Sequence, residues 1–364
     1  GKSIIETGSR QTDRYSSRAV TLSSGDNAMD NQSKNVNDSG KRLSRRTFLK
    51  RSSAAASAVA LPYYIPASAL GRGGAVAPSE RIVTGGIGLG GRGSGDLRWM
   101  MSEPGVQFVA ICDVKRSQRE AVKNTVDTSY SNTDCATYID ISEFLAERTD
   151  IDAVLIATGD RWHAPASIMA MRAGKDVYCE KPGCLTIEQG RKLVETAKQY
   201  GRIFQTGTQR LSQANHVFAI QMARTGRLGE IHTAYADIRW RGGRGARRDW
   251  LPEQPEPPRE EMDWDAWLGP CPWRPYNAGY AYRGMGPKWN NFYDFSTDVA
   301  QWGSHTIAQV LAGLDMTNAS PVTFEFSKPG ADIIVRLASG VKIVLVRPAE
   351  GAKNSKYWGD RNAC

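Results

Sequence analysis

Histidine is scarce in this sequence, four in 364 residues, and none of the six cysteines (Cys112, Cys135, Cys179, Cys184, Cys271, Cys364) forms a CxxC pair. That supply and spacing exclude a Cys/His metal motif and a disulfide framework; free, mostly buried thiols are expected, and no metal is assigned. Long hydrophobic runs are also missing. The mildly apolar stretch 52–65 is 14 residues, short of the roughly 20 that cross a bilayer as a helix, so no permanent membrane anchor is expected. The body of the chain lacks a strong charge bias as well. Of the net +9, residues 1–69 hold 11 Lys/Arg against 5 Asp/Glu, leaving 36 against 33 beyond them. The basic balance is therefore a property of the leader and argues against a nucleic-acid partner. What is present, 40% apolar and 23% charged residues, suits about two globular domains and excludes a disordered or collagen-like chain.

Residues 1–43 are rich in Ser, Asn, Asp, Gly and Arg without apolar periodicity, and are expected to be disordered. Residues 44–69 resemble a twin-arginine (Tat) export signal: Ser44-Arg45-Arg46-Thr47-Phe48-Leu49-Lys50, the apolar stretch, and the cleavage triplet Ala67-Ser68-Ala69. The expected location is periplasmic or otherwise exported, with the Tat machinery as a partner. The chain opens at Gly1, and Met29 would give a leader of ordinary length, so residues 1–28 are uninformative. Tat export carries folded proteins, as a protein loaded with cofactor in the cytoplasm requires.

From Arg81 short apolar runs alternate with helical patterns. Residues 81–87, 106–112, 152–158, 176–179 and 202–206 read as strands. Residues 93–101, 117–126, 142–148, 165–173 and 187–200 read as helices, the last opened by a Thr186-x-x-Gln189 capping box. The alternation predicts a doubly wound parallel sheet, a Rossmann-type domain over 80–207, followed by a second domain over 208–364.

Gly88-Leu89-Gly90-Gly91-Arg92-Gly93 closes the first strand. Such a turn brings bare backbone and a helix N-terminus up to a pyrophosphate, and places Gly88, Gly90, Gly91, Arg92 and Gly93 at a cofactor. Asp113, 20 residues after Gly93 at the end of the second strand, is positioned for ribose hydroxyls, which favours NAD; Lys115 and Arg116 leave NADP open. The third and fourth strands end in Ala157-Thr158-Gly159-Asp160-Arg161-Trp162-His163 and Glu180-Lys181-Pro182. Strand carboxyl ends line the ligand crevice, making Thr158, His163 and Glu180 cofactor-side candidates. His163 reads equally as a cap, a cofactor contact or a catalytic group. Lys181 offers three donors to a substrate hydroxyl, with a solvated surface lysine as the alternative.

These residues together resemble the Gfo/Idh/MocA family, which contains glucose-fructose oxidoreductases and inositol dehydrogenases. The similar stretches are the glycine turn, Cys112-Asp113-Val114, 171–182 with its Ala-Gly-Lys-x-Val-x-x-Glu-Lys-Pro pattern, 204–209, and Trp264-Asp265-Ala266-Trp267-Leu268-Gly269-Pro270. The resemblance implies an N-terminal Rossmann domain holding NAD(P) and a C-terminal α+β domain. The latter has a mainly antiparallel sheet that often forms a homo-oligomer contact. It implies hydride transfer between a sugar or cyclitol carbon and the nicotinamide, with Lys181 binding or relaying at the hydroxyl and His305 as general base. Gln301 stands where the family usually has aspartate. An amide orients a hydroxyl but does not share proton work, and Asp298, seven residues before His305, is a partial substitute.

The second domain reads as a helix over 214–224, a strand over 231–240 and strands over 322–326, 332–337 and 341–346. Family members usually continue past such a point, so the second sheet is expected to be truncated. An Arg/Trp-rich block, 239–250, reads as a solvated loop with some binders of an acidic or hydroxyl-rich ligand. The aromatic run from Trp264 to Trp302 reads as loop packing or as platforms for sugar rings. The leading function is an exported NAD(P)-dependent oxidoreductase of a sugar, cyclitol or polyol. The alternatives are a redox-assisted glycoside hydrolase or lyase with retained NAD, and a noncatalytic carbohydrate-binding or scaffold protein.

Overall fold

The computed structural model describes residues 76–238, 247–281, 288–297, 299–326 and 332–346. The export signal, Asp298, Cys364 and most of the Arg/Trp block lie outside the described residues.

Ile82–Ile87 (β1), Val106–Cys112 (β2), Ala136–Tyr138 (β3), Ala153–Ile156 (β4), Asp176–Glu180 (β5) and Phe204–Gly207 (β6) form one parallel sheet in the order β3-β2-β1-β4-β5-β6. Their apolar runs follow from burial on both faces. β4 sends Val154 and Ile156 into one core with Phe144 and Met171, and Leu155 into the other with Leu97, Phe108 and Val122. Helices Gly91–Met101 (α1), Arg116–Tyr130 (α2), Ile141–Glu147 (α3), Asp160–Arg172 (α4) and Ile187–Tyr200 (α5) connect the strands. The capping box at Thr186 is present.

Two sequence assignments need correction. β3 has three residues, too few to show a period, so the strands ending before Ala157 and at Glu180 are the fourth and fifth. Pro165 does not open its helix. Proline is common at a first helical position, but here α4 begins five residues earlier at Asp160, after Gly159 as N-cap.

Beyond β6, Ala214–Arg224 (α6) precedes Thr233–Asp237 (β7), and Trp264–Leu268 (α7) and Ala278–Ala281 (α8) lie within a long excursion. Val299–Gly313 (α9) then leads to Pro321–Phe326 (β8), Ile333–Leu337 (β9) and Lys342–Val346 (β10). This sheet runs β7-β10-β9-β8, antiparallel except for the parallel β7–β10 pair. Ile307, Val310 and Leu311 of α9 pack on its apolar face of Ala236, Val335 and Leu345.

The excursion has its own aromatic core. Trp264 and Trp267 stack at 4.7 Å; Tyr276 meets Trp264 and Phe295 meets Trp267 edge-on, Tyr280 stacks on Trp264, and Phe292 meets Tyr280 and Phe295 edge-on. For these six rings packing is the observed role, whereas Trp273 and Tyr293 are exposed. Arg274, 1% exposed, lies among the rings and pairs with Asp294. Removing a buried cation from its pair leaves both a cavity and an uncompensated partner. Arg274→Ala is therefore expected to lower stability by about 3 kcal/mol in urea unfolding.

Candidate functional site

The glycine turn is built as its spacing predicts. Gly88 has φ +66°, and a Cβ there would lie 2.3 Å from Thr158 Cγ2, so only glycine fits. Its N–H donates to Cys112 O at 2.8 Å, joining the ends of β1 and β2. A Cβ on Gly93 would meet Ala157 Cβ at 2.7 Å, so this glycine lets α1 approach β4. A Cβ on Gly90 would meet nothing within 4 Å. The turn opens onto a cavity of about 1260 Å³ lined by Gly88, Gly90, Gly91, Arg92, Asp113 and Thr158. Bare backbone, the N-terminus of α1 and a carboxylate at the end of β2 are the donor set a dinucleotide needs, so these residues fit NAD. Asp113 accepts from the Lys115 N–H at 2.9 Å, and burial pushes its carboxyl up to about 6.

The outer wall of the cavity comes from the excursion, which contributes Arg259, Asp263, Ala266, Trp267 and Trp289. Main-chain bonds stitch this wall to the Rossmann domain. Arg116 N–H donates to Glu261 O at 3.0 Å, and Asp263 N–H to Val114 O at 3.2 Å. Trp162 Nε1 donates to Ala266 O, and Arg161 Nε to Trp267 O, both at 2.9 Å. The Arg161 guanidinium also lies 3.6 Å over the Trp267 ring. Burial pulls it down to about 10, still a cation at neutral pH.

Three expected cofactor contacts are displaced from the cavity lining. Gly93 packs the helix, as above. His163 is buried, with Nδ1 2.6 Å from Pro182 O and Nε2 3.1 Å from Thr158 O, so its ring lies between two strand-end loops. Glu180 is buried, accepting from Arg92 Nε at 3.1 Å, from the Gln209 amide, and from the Lys181 N–H at 3.1 Å. Arg92 in turn pairs with Asp96 at 2.7 Å, and burial with the nearby Glu180 pushes that carboxyl up to about 7.

Lys181, Gln301 and His305 lie outside this cavity's lining, and the Lys181 charge acts on His305. His305 and Gln301 sit four residues apart on α9, hence on one helical face. Both are buried. Among the described residues His305 Nδ1 has no hydrogen-bond partner. Burial first, then the charges of Lys181 and Arg210, bring its pKa down to about 4, so the ring is neutral at physiological pH. Arg210 lies 4.6 Å over the Trp302 ring.

Asp160 is the residue that sequence reasoning missed. It is 2% exposed, and one carboxylate oxygen accepts from Ser296 Oγ at 2.9 Å and from the Gln301 amide. Burial raises its pKa, opposed by the charges of His163 and Lys181 and by these two bonds. The signal was its place four residues past the end of β4, two beyond Thr158.

Residues 82–208 match the Gfo/Idh/MocA profile, an oxidoreductase family with an NAD-binding Rossmann fold. A glycosyl hydrolase family 109 protein of Shewanella baltica is 31% identical over 220 residues, 54% of this chain and 47% of that protein. An alpha-N-acetylgalactosaminidase of Shewanella oneidensis is 32% identical over 178 residues, 46% of this chain and 38% of that protein. The chain thus spans about half the length, or less, of the curated relatives it matches. An oxidoreductase structure from Desulfitobacterium hafniense, whose NADPH dependence is only provisionally assigned, is similar in fold. It has TM-score 0.50 and 18% identity, over 73% of this chain and 66% of that one.

Because a Cβ on Gly90 has open space around it and the residue lines the cavity, Gly90→Val is expected to keep the melting temperature within a few degrees. NAD binding in a calorimetric titration should fall at least tenfold.

Proposed function

From the match of residues 82–208 to the Gfo/Idh/MocA oxidoreductase profile, we propose that the chain is the NAD(P)-binding and catalytic part of an oxidoreductase acting on a sugar, cyclitol or related polyol. The observation that carries this reading is a neutral, buried histidine whose Nδ1 has no hydrogen-bond partner among the described residues, within reach of the charge of a lysine. Bound in the glycine turn, NAD(P) would supply the hydride acceptor or donor. The chain's own residues handle the proton. The Lys181 ammonium donates to the substrate oxygen and favours its alkoxide character, and the His305 ring accepts the hydroxyl proton. Gln301 is committed to Asp160 and orients without accepting a proton.

A second reading, cleavage of a glycoside with no net oxidation, is supported by the wall stitched over the cavity. The cavity that would hold a dinucleotide is flanked by residues bonded through the main chain to the Rossmann domain, which suits a cofactor regenerated in place. The hydrolase names of the curated relatives point the same way. The proposal extends to location: the Arg45-Arg46 motif and the Ala67-Ser68-Ala69 triplet support Tat-dependent export, which favours retention where free NAD is scarce.

The test is to denature the purified protein and identify released nucleotide by mass spectrometry. NAD(P) is then added back with a panel of aldoses and cyclitols, and separately with p-nitrophenyl α-N-acetylgalactosaminide. Nicotinamide reduction that tracks turnover supports the dehydrogenase. Nitrophenol release with no net absorbance change at the nicotinamide supports glycoside cleavage. Failure to bind either nucleotide refutes both.

His305 sets the acid limb of either reaction, since only its neutral form accepts a proton. With its pKa near 4, kcat/KM should stay level from neutral pH to about 5 and fall through 4. Removing one of the depressing charges moves that limb up. Arg210→Met is expected to shift it toward 6.5, read from the pH–rate profile.

A further inference from the structure

The excursion engages two arginines that follow the ribose-side acid. Asp113, directly after β2, and Asp140, two residues after β3, both line the cavity. The Asp113 N–H donates to Tyr138 O at 3.1 Å, which sets the two strand ends side by side. A phosphate on the ribose 2′-oxygen would carry its negative charge toward both carboxylates, and Rossmann sites that take NADP answer that charge with a nearby arginine. Arg116, three residues past Asp113, is engaged elsewhere. Its main-chain N–H donates to Glu261 O at 3.0 Å, Nη1 to Glu261 Oε1 at 2.9 Å and Nε to Glu120 Oε1 at 2.8 Å. Ion pairs between unrestrained surface side chains are weak, but here the main-chain bond and an antiparallel bridge between Lys115 and Met262 align the partners. Arg119, which is buried, donates to Asp113 O at 2.8 Å and to Glu260 O at 3.1 Å. Arg259 of the cavity wall donates to Asp263 at 2.6 Å, a buried carboxylate that its departure would strand.

We propose that Glu261 is a specificity-determining residue of the cofactor site: by holding Arg116 against the excursion it withholds that cation from a 2′-phosphate, so that the site selects NAD over NADP. The inference rests on the nucleotide-binding reading given above. Asp113 supplies the repulsion, and Glu261, 145 positions from Arg116 in the chain, removes the arginine that would offset it.

The test is calorimetric titration of the full chain, freed of any bound nucleotide, with NAD and with NADP at one pH and ionic strength. The readout is the ratio of the two dissociation constants. In the parent, NAD should bind at least about tenfold more tightly than NADP. Glu120→Ala/Glu261→Ala releases Arg116 and alters only side chains that are half-exposed or more; it should narrow the ratio about fivefold or more. Adding Arg116→Ala to that pair should cancel the gain. A parent that binds NADP within tenfold of NAD, as it would if Lys115 met the phosphate, overturns the proposal. So does a folded double variant with an unchanged ratio, or a gain that survives Arg116→Ala. If the double variant does not fold, Glu261→Gln, which removes the charge and keeps the shape, decides by the same ratio. Binding of neither nucleotide refutes the oxidoreductase reading and this inference with it; the other adverse outcomes overturn this inference alone.

Discussion

The hydrogen bond from the Gln301 amide to the Asp160 carboxylate joins the two halves of the described structure where chemistry is concentrated. Asp160 opens α4, directly after the fourth strand of the Rossmann sheet, and Gln301 lies in the first turn of α9, which covers the second sheet. Fixing this contact fixes the distance between the strand ends that carry Lys181 and the helix that carries His305. A buried carboxylate without donors would cost several kcal/mol. The carboxylate therefore constrains the helix as much as the helix constrains the carboxylate.

The same logic recurs wherever charge is buried around the site. Glu180 is tied to Arg92 and Gln209, Arg161 to the Trp267 carbonyl and ring, and Arg274 to Asp294 within the aromatic core. Each contact links a Rossmann strand end or turn to a later segment, or braces that segment internally. Polar side chains thus place the excursion over the cavity, while its aromatic rings supply the bulk that keeps water from those contacts. This explains why so many of the tryptophans and tyrosines between 264 and 295 are packed inward rather than presented to a ligand.

The Rossmann half was legible because its signals are local. The turn at Gly88, the acid at Asp113, and the helix 187–200 with its capping box all depend on residues a few positions apart. The second sheet was read strand by strand for the same reason, although the parallel β7–β10 pairing, between segments a hundred residues apart, leaves no mark in either run. The site was harder. His163 drew notice as a histidine near a strand end; its ring lies between the carbonyls of Pro182 and Thr158 and not in the cavity lining. Asp160, three residues earlier, drew no notice, because its partners Ser296 and Gln301 are more than 130 positions away. A sequence motif reveals which residue types are at hand; which of them keep an uncommitted atom is settled by contacts remote in the chain.

That distinction also bears on His305. A histidine held near pKa 4 is a weak base in isolation, and a base is most effective with a pKa near the working pH. The depression comes from burial and from the cations Lys181 and Arg210, so any negative charge that develops between them during reaction would raise it. A substrate hydroxyl becoming alkoxide-like between Lys181 and His305 is such a charge. In the proposed reaction His305 would thus be unprotonated beforehand and would gain basicity as the substrate oxygen becomes negative. A permanent anion in direct contact with His305 would raise its pKa in the resting state and forfeit that gain.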